Sequence, residues 1–441
     1  MIKKLSIFIL TFLLIISTLS CNAFAYQISG FELDAHTALL ISLDTDEVLF
    51  SQNADDKVYP ASLTKMLTAV IMIENTENLD TEIITYTKEA NNAILGTGSV
   101  VLGLKIGEQV TARDALYGLL VSSGGDIAYA IAHHYGGNTE GFVELMNNKA
   151  KEIGLVNSHF GNPVGLHDDE TYTTGNDIAK LAKYALQYDI FKTVTSTVKY
   201  TIPATNMSGP RHFTTTNYLT NPTTNYFYKY ASGIKTGFTD EAGRCVVSTA
   251  SYEGYNYLCV IMGCKNKNGK RNEFLDSANL YRWAFNNFEY KSILDTTKPV
   301  TEIKVNLSLD TDHIPLYAEK NLTQLFPKTA DSSTITIKPT LNCEEIDAPV
   351  AAGTVLGTAD VIYSEQVIGT VNLVAGETVE SSFILVVARA LKNVFTSTAF
   401  KVIAGIAALA LLVYIGLIIK LNFGKKSHRK VKYIPMDKDK R

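Results

Sequence analysis

The segment Ser62-Leu63-Thr64-Lys65 combines a hydroxyl and an amine at a spacing that suits nucleophilic catalysis. It begins a predicted amphipathic helix, and residues three apart share a helix face, so the Lys65 amine is expected one turn from the Ser62 hydroxyl. A serine hydroxyl is a weak nucleophile until a base removes its proton. A lysine can be that base when desolvation or a neighbouring cation lowers its pKa.

The spacing alone is weak evidence, because Ser-x-x-Lys also begins at Ser196, Ser232 and Ser427. Only Ser62 falls at a predicted helix start, where backbone N–H groups without helical partners can stabilise an oxyanion. We therefore take Ser62 as the candidate nucleophile and Lys65 as its candidate base.

A second candidate segment, Lys235-Thr236-Gly237, is the only Lys-Thr-Gly in the chain. It precedes a predicted hairpin at 244–262 and should lie on or beside a strand, where a glycine lets a substrate backbone approach closely. The Lys235 amine and the Thr236 hydroxyl suit a ligand with a carboxylate, and Arg244 follows at a distance that could add a guanidinium. Taken alone, the segment is more simply interpreted as a solvated lysine in a turn.

The third candidate is Ser123, in a run of two serines, two glycines and Asp126 at a predicted helix start. Serine and aspartate at such places are more often ordinary helix caps. The functional interpretation is that Ser123 relays a proton.

The elements around these segments predict an α+β fold. Strands at 38–43 and 47–50 come first, residues 111–190 are mostly helical, and the hairpin and a last helix at 272–288 follow. The sheet should therefore join both ends of a catalytic domain at 26–297. After Pro299, short strand-like runs predict a small all-β domain at 298–380.

Both ends of the chain carry targeting signals. Lys3 and Lys4, the apolar run 5–19 and Ala23-Phe24-Ala25 predict a signal peptide at 1–25. After a linker at 381–398, residues 399–419 predict a transmembrane helix, since 402–419 hold no charge. The tail 420–441, with nine basic residues against two aspartates, should stay cytoplasmic, so the catalytic domain lies outside.

The remaining composition excludes some functions. The formal net charge is −4, and the basic tail alone contributes +7, so the rest of the chain is acidic and gives no support to nucleic-acid binding. Cys245, Cys259, Cys264 and Cys343 show no spacing typical of a metal site, and no cofactor or metal is expected.

The order of the segments, Ser-x-x-Lys, a serine-bearing loop and Lys-Thr-Gly, resembles that of penicillin-binding proteins and class A β-lactamases. More specifically, the chain resembles the D-alanyl-D-alanine carboxypeptidase family of low-molecular-mass penicillin-binding proteins. The matching stretches are residues 60–69, 161–166, 233–239 and 242–244. The resemblance implies a penicillin-binding/β-lactamase-like catalytic domain, an antiparallel sheet with helices and a helical subdomain.

The resemblance also implies roles for residues. Ser62 would be acylated by the penultimate D-alanine of a peptidoglycan stem peptide, with Lys65 as base and β-lactams as inhibitors. Ser123 would pass a proton to the leaving D-alanine. The substrate would be bound by the following residues: Lys235, Thr236, Gly237, Phe238 and Arg244. Among them, Thr236 and Arg244 would hold the terminal carboxylate, and the Ser62 and Phe238 N–H groups would form the oxyanion hole.

One departure leaves alternatives open. The family's middle motif is Ser-x-Asn, and its asparagine binds substrate, but this chain has Gly125 there. A non-catalytic peptidoglycan-binding relative is therefore one alternative. A serine β-lactamase is another, and Glu170 is the nearest candidate for the deacylating glutamate that such an enzyme uses.

Overall fold

A five-stranded antiparallel sheet is the framework of the first part of the molecule. The computed structural model describes residues 30–265, 269–331, 334–363 and 365–423. These form two units, of which the first ends at Tyr290 and also holds Leu325–Thr329. In chain order, the strands up to the end of the sheet are β1 (Thr37–Ser42), β2 (Val48–Gln52), β3 (Ile83–Thr85), β4 (Gln109–Thr111), β5 (Lys199–Ile202), β6 (Arg211–Thr214), β7 (Ala231–Thr239), β8 (Gly243–Tyr252) and β9 (Tyr255–Cys264). The strand order in the five-stranded sheet is β2-β1-β9-β8-β7.

The helices of the first unit lie mostly between β2 and β7 in the sequence. They are α1 (Lys65–Asn75), α2 (Lys88–Ile94), α3 (Ala112–Leu120), α4 (Gly125–Gly136), α5 (Thr139–Ile153), α6 (Gly175–Ala185), α7 (Asp189–Ser196) and α8 (Asn272–Asn287). Strands from both ends of the segment share one sheet, because β1 pairs with β9 in antiparallel register. The predicted α+β arrangement is confirmed.

The hairpin β8–β9 follows from its turn residues. Glu253 and Gly254 have φ angles of +51° and +86°, which a two-residue turn of type I′ requires. Cys245 on β8 and Cys259 on β9 are buried free thiols.

Helix α1 is more buried than its predicted amphipathic pattern suggests. Residues 65–72 are buried without interruption, because α1 packs against α3, α4, α5 and α6. The lysine at its start is therefore enclosed by protein, and this sets the chemistry of the site.

The second unit contains a six-stranded sheet. The strands after α8 are β10 (Phe288–Leu294), β11 (Pro299–Asn306), β12 (His313–Ala318), β13 (Leu322–Pro327), β14 (Thr336–Leu341), β15 (Glu345–Asp347), β16 (Val355–Tyr363) and β17 (Gln366–Ala375). The strand order in the sheet is β14-β16-β17-β12-β11-β15. The sheet is antiparallel except where β15 pairs with β11. Its small core includes Ile314, Leu316 and Leu373. A C-terminal all-β domain is therefore present, as predicted.

Two helices end the described chain, α9 (Phe383–Thr396) and α10 (Thr398–Phe423). Residues Thr398–Leu421 are long and apolar enough to cross a membrane. Helix α9 lies in the segment predicted to be a linker, and its apolar residues, Phe383 and Ile384 among them, are exposed. The predicted signal peptide and almost all of the predicted basic tail lie outside the described residues.

Candidate active site

Ser62 lies in a tight turn that leads into α1. Residues Ala61–Thr64 form one 3₁₀ turn before the helix begins at Lys65. Ala61 has a φ of +45°, a conformation that residues with a Cβ rarely adopt and that marks many functional sites. The Ser62 side chain opens into a cavity of about 720 Å³.

The Lys65 amine lies directly behind this serine. Its Nζ is 2.9 Å from Ser62 Oγ and donates a second hydrogen bond to the Val164 carbonyl at 3.0 Å. Burial lowers the pKa of Lys65 to about 7, although the carboxylate of Asp126 acts in the opposite direction. An amine with this pKa is largely unprotonated just above neutral pH and can accept the serine proton.

The segment after α5 fixes the position of that amine. Asn162 Oδ1 accepts hydrogen bonds from three successive N–H groups, of which the Gly165 N–H is the nearest at 2.7 Å. Gly165 has a φ of +79°, and a Cβ there would lie 1.8 Å from the Ala61 carbonyl oxygen. Only glycine fits at this position. It lets residues 163–166 pack directly against the Ser62 turn, so that the Val164 carbonyl accepts a hydrogen bond from Lys65.

A second serine–lysine pair closes the other side of the cavity. Lys235 Nζ donates to Ser123 Oγ at 2.9 Å and to the Thr236 carbonyl at 2.8 Å. Both side chains are buried, and burial together with the nearby charge of Lys65 holds the pKa of Lys235 well below its usual range. Ser123 is held with a φ of +63°. Because the Ser123 hydroxyl is hydrogen-bonded to the buried Lys235 amine, it can receive a proton or pass one on.

The edge strand β7 approaches Ser62 at a glycine. A Cβ on Gly237 would lie 3.2 Å from the Ser62 backbone nitrogen and equally near Pro60 and Ala61. Thr236 Oγ1 lies 2.6 Å from the hydroxyl of Thr216. The predicted site residues that line the cavity itself are Ser62, Ser123, Thr236, Gly237 and Phe238.

Arg244 and Arg271 occupy different places. The Arg244 guanidinium lies over the ring of Phe238, with 4.9 Å between its carbon and the ring centre. Arg271 lines the cavity, and its Nε donates to the buried carboxylate of Glu273 at 2.6 Å. Arg271 was not predictable as a site residue, because it precedes α8 with no motif beside it, 36 residues after Lys235.

Glu170 is not among the residues that line the cavity in the part of the chain that the structure describes. Its backbone N–H donates to Asp168, and its carbonyl lies 3.1 Å from the ring of His159. Glu170 is thus not placed at the cavity as the deacylating glutamate of a β-lactamase would be, and the glutamate that lines the cavity is Glu241.

Comparison with known proteins agrees with this geometry. Residues 23–266 match the D-alanyl-D-alanine carboxypeptidase family, and residues 288–381 match the penicillin-binding protein 5 C-terminal domain. The D-alanyl-D-alanine carboxypeptidase DacF of Bacillus subtilis is 29% identical over 77% of this chain and 86% of its own length. DacC of Escherichia coli, which carries the same description, is 31% identical over 74% of this chain and 80% of its own.

A solved structure shows the same fold. Penicillin binding protein 5 of Haemophilus influenzae superposes with a TM-score of 0.63 and 26% identity, over 80% of this chain and 100% of that one. The fold and the site define a penicillin-binding serine hydrolase. The chain belongs to the D-alanyl-D-alanine carboxypeptidase family and is a serine-type carboxypeptidase of cell-wall biogenesis. The family predicted from the sequence motifs is thereby confirmed.

Proposed function

We propose that this enzyme removes the terminal D-alanine from peptidoglycan pentapeptides through an acyl-enzyme on Ser62, and that β-lactams acylate the same serine. The observation that carries the proposal is the buried Lys65 amine, 2.9 Å from Ser62 Oγ and with a pKa lowered to about 7. A serine with an unprotonated amine at this distance has the base that its attack requires.

In the first step, Ser62 Oγ bonds to the carbonyl carbon of the penultimate D-alanine while its proton moves to Lys65. The backbone N–H groups of Ser62 and Phe238 stabilise the oxyanion that forms. The C–N bond to the terminal D-alanine then breaks, and Ser123 gives a proton to the departing amine and regains one from the proton that Lys65 took up. Water hydrolyses the resulting ester and frees Ser62.

Lys235 supports the second proton transfer. Its amine donates to Ser123 at 2.9 Å and, in its protonated form, brings positive charge to the cavity that Thr236 and Gly237 line. The terminal carboxylate of the peptide meets the Thr236 hydroxyl, and Arg244 contributes a guanidinium from β8. Arg271 at the cavity wall is a second guanidinium for the same carboxylate.

The proposed localisation follows from the two ends of the chain. The apolar helix at 399–419 crosses the cell membrane once, the basic tail at 420–441 stays in the cytoplasm, and the catalytic domain at 26–297 and the β domain at 298–380 lie outside. Protease added to intact spheroplasts should remove the catalytic domain and leave the tail protected. A protected catalytic domain would reverse this topology.

The function is tested by D-alanine release from a peptide that ends in D-Ala-D-Ala, with Ser62→Ala as the matched control. The wild-type enzyme should release D-alanine and the variant should not. A wild-type protein that binds penicillin without releasing D-alanine would instead be a non-catalytic binding protein.

A further inference from the structure

The space that a side chain at position 125 would occupy is taken by Ser99. Gly125 is the first residue of α4 and is buried. A Cβ built on it would lie 2.5 Å from Ser99 Oγ and 3.1 Å from Ser99 Cβ, with the Ile94 Cδ1 at 2.6 Å. The Ser99 hydroxyl thus stands directly above the residue that lacks a side chain.

The segment that carries Ser99 is fastened to the start of α4. The Gly125 N–H donates to the Val100 carbonyl at 2.6 Å. The Asp126 carboxylate accepts the N–H groups of Leu102, Gly103 and Leu104 at 2.9, 2.9 and 3.1 Å. These four hydrogen bonds tie residues 100–104 to the helix that also positions Ser123.

The side chain of Leu102 adds a packing constraint to the hydrogen bonds. It fills the space beside Gly118 and Gly124, where added Cβ atoms would lie 2.6 and 2.7 Å from its carbons. On the other side of Ser99, its N–H reaches Thr97 Oγ1 at 3.4 Å. The position of Ser99 is therefore fixed by contacts of the residues before it and after it in the sequence.

Ser99 also belongs to the cavity that holds the reacting groups. Ser99 lines the same cavity as Ser62 and Ser123. Within the described ranges, its Oγ has no protein hydrogen-bond partner, although its backbone N–H does. A hydroxyl can both donate and accept, so it suits either the carbonyl or the N–H of an amide.

We propose that the Ser99 hydroxyl binds the amide of the acyl half of the substrate, in place of the side chain that Gly125 lacks. The inference rests on the proposed function, since the acyl half is the part that Ser62 retains. The ligand class is any peptide or β-lactam that carries an acylamido group next to the reacting carbonyl. Ser99 is then a substrate-binding residue that takes the role of the asparagine side chain absent at position 125.

Two β-lactams separate this role from a structural one. Benzylpenicillin carries an acylamido group, whereas 6-aminopenicillanic acid has a free amine there. The second-order rate constant for acylation is measured on the full chain in detergent for the wild type and for Ser99→Ala. We expect Ser99→Ala to lower the constant about three- to tenfold for benzylpenicillin and to change it less than about twofold for 6-aminopenicillanic acid.

A pair of variants tests the exchange of position 99 for position 125. Gly125→Asn alone should acylate with benzylpenicillin no faster than Ser99→Ala, because its Cβ meets Ser99 Oγ at 2.5 Å. The double variant Ser99→Gly/Gly125→Asn should regain most of the preference for benzylpenicillin. That double variant removes the Ser99 atoms nearest the new Cβ, and the other near contact is the flexible end of the Ile94 side chain.

The outcomes are distinct. An equal loss for both β-lactams, or no loss for either, in a Ser99→Ala protein with wild-type thermal stability would overturn the role of Ser99. A folded double variant that regains no preference would overturn the exchange. If neither β-lactam modifies the wild-type protein, the proposed function fails, and this inference fails with it.

Discussion

The Lys235 amine lies 2.9 Å from the Ser123 hydroxyl, so each of the two buried lysines of the site is paired with one serine. The two pairs differ in surroundings. Lys65 receives partial compensation from the carboxylate of Asp126, whereas Lys235 is affected by the charge of Lys65. Because the charge of Lys65 disfavours protonation of Lys235, the site does not favour two protonated amines at once.

The first prediction concerns pH. Lys65 is an effective base only when unprotonated, and its pKa is lowered to about 7. Acylation by benzylpenicillin should therefore rise about tenfold per pH unit below that value and level off above it. Stopped-flow rates across the range would show this, and Lys65→Ala should be slower by about a hundredfold or more at the plateau. Rates that fall as the pH rises through 7 would exclude Lys65 as the base.

The second prediction concerns the proton relay. Ser123→Ala should lower D-alanine release by about a hundredfold, because the leaving amine loses its proton donor. The matched control is Ser122→Ala, since Ser122 is its neighbour but does not line the cavity. Turnover is measured under saturating substrate for both. Equal effects of the two changes would mean that Ser123 acts only through the local fold.

The third prediction concerns Gly165. Gly165→Ala adds a Cβ that would meet the Ala61 carbonyl oxygen at 1.8 Å, so the Ser62 turn must move and acylation should fall at least about tenfold. The control is Gly137→Ala, which has a similar φ of +75° but nothing near its Cβ. That change should cost about 1–2 kcal/mol of stability from backbone strain and leave acylation unchanged. Thermal unfolding and acylation rates on both proteins test the pair.

The fourth prediction concerns the terminal carboxylate. Arg271→Ala, made together with Glu273→Gln so that no buried charge is left unpaired, should raise KM about ten- to a hundredfold for a free-carboxylate peptide. A peptide ending in a carboxamide should be affected much less. Arg244→Ala is measured in parallel, and we expect the smaller effect there because Arg244 lies over Phe238. A larger increase in KM for Arg244→Ala than for the Arg271 variant would mean that Arg244 is the main ligand of the carboxylate.

Much of the site was predictable from short-range patterns. The Ser62–Lys65 contact follows from helix geometry. The turn at Glu253-Gly254 follows from its glycine, which adopts a positive φ without strain. The small β domain and the apolar C-terminal helix follow from composition and alternation. These features depend on residues close together in sequence, where helix spacing, turn conformation and strand alternation determine the local structure.

The other features of the site depend on segments that are distant in the sequence. Ser123 and Lys235 are 112 residues apart, so only their resemblance to known motifs suggested that they meet. Ser99 covers Gly125 because Asp126 binds the backbone of 102–104, a contact that no spacing indicates. Arg271 reaches the cavity from a segment that carries no motif of its own.

The most direct test of the account is the site at which a β-lactam attaches. The full chain is incubated with benzylpenicillin, its intact mass is measured, and the adduct is mapped by peptide mass spectrometry. The account predicts one adduct on Ser62, followed by slow recovery of the free enzyme. A label on Ser123 or Ser232, or an unmodified protein, would contradict it.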